Sequence, residues 1–212
     1  MWDRHRRSGG AESSEWPPVQ PQAATLRLAV IPRPSLLTDA ILCVAGAAFV
    51  ALAAQVEIHL GFTPVPITMQ TFAVVLVGAS YGAGLGAATL LLYLLVGIAG
   101  VPVYAGHEHG WSTFTGATGG YIAGFVAAAA LTGYLAERRW DRRFSTAVTA
   151  MLSGNVVIYA CGLLWLHHFL NVNWPTALAD GLYPFVPGDI IKVYLAALAL
   201  PGAWRLVSRY RS

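Results

Sequence analysis

From residue 36 onward the chain alternates between long apolar stretches and short polar ones. Leu36–Ile58 is a mostly apolar run of 23 residues, a full span, that follows Ser35, a residue type that caps helix starts. Ile67–Ser80 and Leu85–Ala99 are shorter, at 14 and 15 residues. Tyr121–Ala136, Ala147–Leu166 and Leu182–Trp204 complete the series. A helix needs about 20 apolar residues to cross a bilayer. The pattern therefore predicts six transmembrane helices. The second and third depend on flanking Pro and Gly residues for their length, and runs near 14 residues are also compatible with re-entrant segments. Alternation of period two is missing from these stretches, which argues against strands. The expected fold class is an all-α integral membrane protein, with its six-helix domain over residues 35–208. Residues 1–34 combine charges with Pro, Gly and Ser and contain no apolar core of a secretory signal. They read as a disordered cytoplasmic tail.

Composition fits this picture. Of the 212 residues, 56% are hydrophobic and only 11% are charged, and mean hydropathy is +0.57. A soluble domain carries about 25% charge. The charges that exist are sorted by position. Arg4, Arg6, Arg7, Arg27 and Arg33 precede the first span; Arg138, Arg139, Arg142 and Arg143 separate the fourth and fifth; Arg205, Arg209 and Arg211 follow the sixth. With six spans these three groups share one side, while the opposite loops, 59–66, 100–120 and 167–181, hold no Lys or Arg. The positive-inside rule places both termini in the cytoplasm, as expected of a multi-pass protein of the plasma membrane. Losing the second and third spans together would leave the same parity. No basic stripe with interleaved aromatics points to nucleic acid. Cys43 and Cys161 lie in apolar runs and read as buried small hydrophobes.

One basic residue has no place in that topology. Lys192, the sole lysine, sits in FVPGDIIKVYLAALAL three residues after Asp189. That spacing puts both side chains on one helix face. A charge at mid-bilayer costs about 2.5–3.5 kcal/mol on insertion scales, so the pair is expected to face the bundle interior or a wet cavity. The plainer alternatives are an N-cap at Asp189 or an ion pair that only holds the bundle together. With the helix entering at Leu182, Lys192 would lie about 15 Å from its start. Gln70 near the start of the second helix, and Asn155 with Tyr159 on one face of the fifth, are ligand candidates that also suit helix–helix hydrogen bonds. The glycine-rich segment GVPVYAGHEHGWSTFTGATGGY offers Tyr104, Gly106, His107 and Tyr121 as a polar lid. Its His-Glu-His triplet is weak evidence for metal, and no metal site is expected. Cys43, Ala47 and Ala51 repeat every fourth residue, forming a stripe for packing or for docking a second membrane protein. No nucleophile–base constellation or phosphate-binding loop occurs, so ATP hydrolysis is not expected of this chain.

The segments FTPVPITMQTFAVVLVGA, LLYLLVGIAGVPVYAG, TGGYIAGF and PGDIIKVYLAALAL resemble the BioY family, the biotin-specific S components of energy-coupling factor (ECF) transporters. The resemblance covers about residues 36–207. It implies a six-helix membrane fold with an outward-facing biotin pocket built by the loops after helices 1 and 3 and by helices 4 to 6. Asp189 and Lys192 match the family's acid–lysine pair that contacts biotin. The polar family position after helix 3 falls near Ala105–His107, where many relatives have Gly or Asn, so His107 and Glu108 are departures. Ala117 stands where relatives usually carry Pro. The resemblance further implies docking through Ala47 and Ala51 onto a transmembrane T component that is coupled to two ATPase subunits. Biotin is the expected ligand, without a covalent cofactor. Its ureido group suits an acid–lysine pair, and Tyr104 and Tyr121 would cover its ring. The alternatives are an S component for another small vitamin, or a membrane enzyme using Lys192 as base or Schiff-base nucleophile.

Overall fold

The computed structural model describes residues 24–32 and 35–211, the side chains of the last two excepted. Its helices are α1 (Leu26–Val30), α2 (Leu36–Ala54), α3 (Gln70–Tyr81), α4 (Ala83–Ile98), α5 (Gly110–Phe114), α6 (Gly119–Glu137), α7 (Phe144–Leu170), α8 (Trp174–Gly181) and α9 (Val186–Arg211). Four of them, α2, α6, α7 and α9, are long and apolar enough to cross a membrane. The other two apolar helices, α3 and α4, are the ones whose runs are short in the sequence.

Local chemistry sets the helix ends. The Ser35 hydroxyl accepts from the Thr38 amide at 3.2 Å and starts α2. Gly82 adopts φ +90°, a left-handed conformation open to glycine at no steric cost, and this turns α3 directly into α4. Asn171 closes α7 in the left-handed region, and the Asn173 side chain caps α8. α9 runs through Pro201 and ends at Arg211, well past the expected Trp204.

Three expectations are corrected. Order begins before residue 35. In α1, Leu26 and Ala29 are buried, and Arg27 pairs with Asp39 of α2, so an apolar anchor and an ion pair hold part of the expected tail. Residues 1–23 and 33–34 of that tail lie outside the described residues. A small strand pair also exists: Glu57–Ile58 lies antiparallel to Ile67–Thr68, because the double-proline loop between them folds back on itself. Helix α9 starts four residues later than expected, so Lys192 is only about 9 Å along it.

The core lies between α6 and its neighbours α3, α4 and α7. Val74, Leu90, Tyr93, Phe125 and Ile158 are its large buried side chains. By contrast α2 buries only Gly46, Val50 and Ala54 of its 19 residues, and it exposes Ile41, Val44, Phe49 and Leu52. Ala47 and Ala51 are half-buried against the core, at the margin of that exposed face. One end of the bundle carries the loops 55–69, 99–118 and 171–185. The other carries Arg138, Arg139, Arg142 and Arg143 in the turn after α6, together with the end of α9.

At the arginine-rich end, Asp141 is fully buried. One of its oxygens accepts from the Trp204 indole, and the Arg142 guanidinium stacks 4.1 Å above the same ring. Burial pushes the Asp141 carboxyl above the usual carboxylate range. Its other oxygen has no hydrogen-bond partner among the described residues. Trp204→Phe should therefore cost about 1–3 kcal/mol, the penalty for stripping a buried acceptor, read as a lower melting temperature. An unchanged melting temperature would show that this contact does not hold α9 to the turn.

Candidate functional site

The loop end of the bundle holds a cavity of about 110 Å³. The segment before α3 contributes Pro64, Val65, Pro66 and Thr68; the start of α3 contributes Gln70 and Thr71; α6 contributes Tyr121, Ile122 and Phe125; α7 contributes Ile158 and Tyr159; and α9 contributes Asp189 and Lys192. Tyr104, Ala105 and Glu108 approach from the loop after α4, and Phe185 from the turn before α9.

Its polar centre is a connected cluster. Lys192 donates to the Thr68 carbonyl at 2.6 Å and to Asp189 Oδ1 at 2.7 Å, with a longer contact of 3.4 Å to the Thr71 hydroxyl. Thr71 donates to the same Asp189 oxygen at 3.2 Å. The other oxygen, Oδ2, accepts from the Tyr159 hydroxyl at 2.5 Å. Asp189 and Lys192 are 5% and 7% exposed, so this ion pair is largely withdrawn from solvent. Such a pair persists only when further hydrogen bonds offset the loss of hydration. Thr68, Thr71 and Tyr159 supply those bonds here. The pair also explains the sequence spacing, since i, i+3 on α9 puts both groups on the cavity side.

Gln70 takes part in a second set of bonds. Its amide donates to the Tyr93 hydroxyl at 2.8 Å, and Tyr93 in turn donates to the Val103 carbonyl at 3.0 Å. Gln70 thus lines the cavity while tying α3 to the loop after α4. The Tyr104 hydroxyl donates to the Leu94 carbonyl at 2.7 Å, and burial pushes its pKa up to about 12. Tyr121 donates to the Gly181 carbonyl at 2.9 Å, anchoring α8 over α6. Both tyrosines therefore turn their hydroxyls away into protein. Phe185 and Tyr159 pack ring to ring at 6.5 Å, giving the cavity an aromatic wall.

Of the residues singled out in the sequence, Asp189, Lys192, Gln70, Tyr104 and Tyr121 meet at the cavity. Three do not line it. Gly106 and His107 form a left-handed turn, φ +64° and +60°, that is fastened to Gln55 by the His107 amide. That turn leaves Glu108, the neighbour, on the cavity instead. Asn155 lies one helical turn from Tyr159, past the last α7 residues of the lining. It is buried there, with its side-chain carbonyl unpartnered among the described residues. Reasoning from sequence missed Thr68, Thr71 and Phe185 as site residues; Tyr159, weighed there with Asn155 as a ligand candidate or a helix–helix contact, does line the cavity. Threonine three residues apart before an apolar run was the available signal for the first two. No group of three His, Cys, Asp or Glu side chains placed to hold a metal occurs among the described residues.

Removing the Tyr159 hydroxyl tests this cluster. Tyr159→Phe takes one charge-assisted bond from Asp189 and leaves the ring in place. Ligand affinity should fall about three- to tenfold, with little change in helix content. Unchanged affinity would mean that Tyr159 only fills space.

The chain is similar to known proteins over most of its length. The model of the BioY family matches residues 22–209. A biotin transporter BioY of Rhizobium etli is 38% identical over 159 residues, which cover 72% of this chain and 84% of the relative. A probable biotin transporter BioY of Pyrococcus horikoshii is also 38% identical, over 155 residues, covering 72% and 89%. Among solved structures, the S component for biotin from an ECF-type ABC transporter superposes with a TM-score of 0.71 at 25% identity, covering 80% of this chain and 92% of that one. The matched region contains every cavity residue described above, and the chain belongs to the BioY family of membrane transport proteins.

Proposed function

We propose that this chain is the biotin-binding S component of an ECF uptake system in the plasma membrane. The observation that carries the reading is the Asp189–Lys192 pair, desolvated in the cavity and fixed by Thr68, Thr71 and Tyr159. A ureido group presents N–H donors beside a carbonyl acceptor, and this pair presents an acceptor beside a donor. The aromatic and aliphatic wall of Phe125, Ile158 and Phe185 suits an apolar ring. The relatives named as biotin transporters and the solved biotin S component support the same ligand.

In this reading α2, α3, α4, α6, α7 and α9 all cross the membrane. Residues 35–208 form the membrane domain, residues 1–34 belong to the cytoplasmic side, and both termini are cytoplasmic. The support is the distribution of arginine, since the cavity end carries none. The bilayer covers most of the outer surface. A transmembrane T component docks on the little-buried face of α2, next to Ala47 and Ala51, and two ATPase subunits bind that component. ATP is then spent by the partners, consistent with the lack of a phosphate-binding loop in this sequence.

Biotin at about 100 times its Kd should raise unfolding free energy by about 2.7 kcal/mol. For a chain this size that is a rise of about 5–10 °C in melting temperature. A panel of other small vitamins should give no comparable shift. A larger shift with another vitamin would reassign the ligand, and no shift with any of them would end the S-component reading.

A further inference from the structure

Within the biotin reading, the two ends of the cavity differ in charge. At the inner end Lys192 already places its ammonium against Thr68, Asp189 and Thr71. Asp189 stands beside it as a carboxylate, with Oδ2 held by Tyr159. A ligand carboxylate entering here would meet another carboxylate, whereas ligand N–H groups would meet an acceptor. The inner end thus takes the ureido ring, and the tail points to the mouth.

The mouth carries one carboxylate. Glu108 lines it together with His59, Pro64, Thr113 and Thr118. A second, more open cavity of about 310 Å³ shares Glu108, Pro64, Thr113 and Thr118 and continues past Ser112 and Gly116. Glu108 therefore stands where the two spaces join. None of the loops at this end, 55–69, 99–118 and 171–185, contains a Lys or Arg. A tail carboxylate leaving the inner cavity meets a carboxylate and no lysine or arginine to pair with. The second cavity leaves room for a tail longer than that of the free acid.

We infer that Glu108 is a specificity residue that reads the ligand's tail, favouring biotin amides with a neutral or amine-ended tail over the free acid. The chemical class is biotin still joined through its carboxyl group to an amine, as in fragments of biotinylated protein. The ureido ring occupies the same inner site in either case, so the discrimination lies wholly in the tail.

The test uses the full chain in lipid nanodiscs at pH 8 and low salt, with three probes: biotin, biotinamide and N-(2-aminoethyl)biotinamide. In the wild type the amine-ended probe should bind most tightly and biotin least. Glu108→Gln should reduce the ratio of amine-probe to biotin affinity by about three- to fivefold, the range for a partly exposed charge contact. Added salt should compress the wild-type ratio in the same direction. Wild type that binds biotin more tightly than both amides would overturn the inference, as would a ratio unchanged in Glu108→Gln. In both cases the biotin site would still stand. Folded wild type that binds none of the three would instead overturn the biotin reading and this inference together.

Discussion

Lys192→Ala should abolish measurable high-affinity biotin binding, with affinity falling by about a hundredfold or more. Three effects act together. The ligand loses a charge-assisted hydrogen bond, worth about 1.5–3 kcal/mol. Asp189 keeps its charge but loses its cation at 2.7 Å, so a buried carboxylate is left with Thr71 and Tyr159 alone. The Thr68 carbonyl is freed as well, which loosens the entry to α3. Breaking a buried pair from one side costs about 3–5 kcal/mol of stability, so the single variant is compared with Asp189→Asn/Lys192→Met. The double variant removes both charges and should recover most of the melting temperature without recovering binding. Asp189→Ala should lose binding as well. Biotin affinity at the wild-type level in Lys192→Ala would remove the lysine from the site. Recovery of binding in the double variant would show the pair to be structural only.

The second large effect lies away from the cavity. A Cβ at Gly78 would sit 2.5 Å from the Ala129 carbonyl oxygen and 2.8 Å from its Cα. Both are backbone atoms of α6, so α3 can accept the methyl only by moving off α6. Close approach through small residues is how helices associate in lipid, where burial of apolar surface gives no drive. Gly78→Ala should cost about 2–3 kcal/mol, a drop of about 5–10 °C. Because α3 also carries Gln70 and Thr71, biotin affinity should fall with it. Gly84→Ala is the control: it is exposed, and its Cβ would meet nothing within 4 Å. That change should be neutral or slightly stabilising, since alanine is the better helix former. Equal melting temperatures for Gly78→Ala and wild type would mean the two helices are not in fixed contact.

The sequence could identify Asp189 and Lys192 because charge in an apolar run is expensive and therefore conspicuous. The rest of the cluster carried no such mark. Threonine and tyrosine hydroxyls are common in apolar helices and cost little there. The bonds that give Thr68, Thr71 and Tyr159 their roles join residues 124, 118 and 30 positions from their partners. No local pattern encodes those pairings. The loop after α4 shows the same limit. Its glycines and polar residues marked a lid, but two successive left-handed residues decided that Glu108 rather than His107 lines the cavity.

By itself, then, the chain determined its solvent and its helices, since apolar length and scarce charge are properties of the sequence read one stretch at a time. It also determined that one buried ion pair needed a partner. Tertiary structure decided which faces meet, where α9 begins, and how deep Lys192 lies. It also decided which loop residues close the cavity. Those outcomes depend on backbone approach between α3, α6 and α7 and on hydrogen bonds between distant segments, which exist only once the helices have packed.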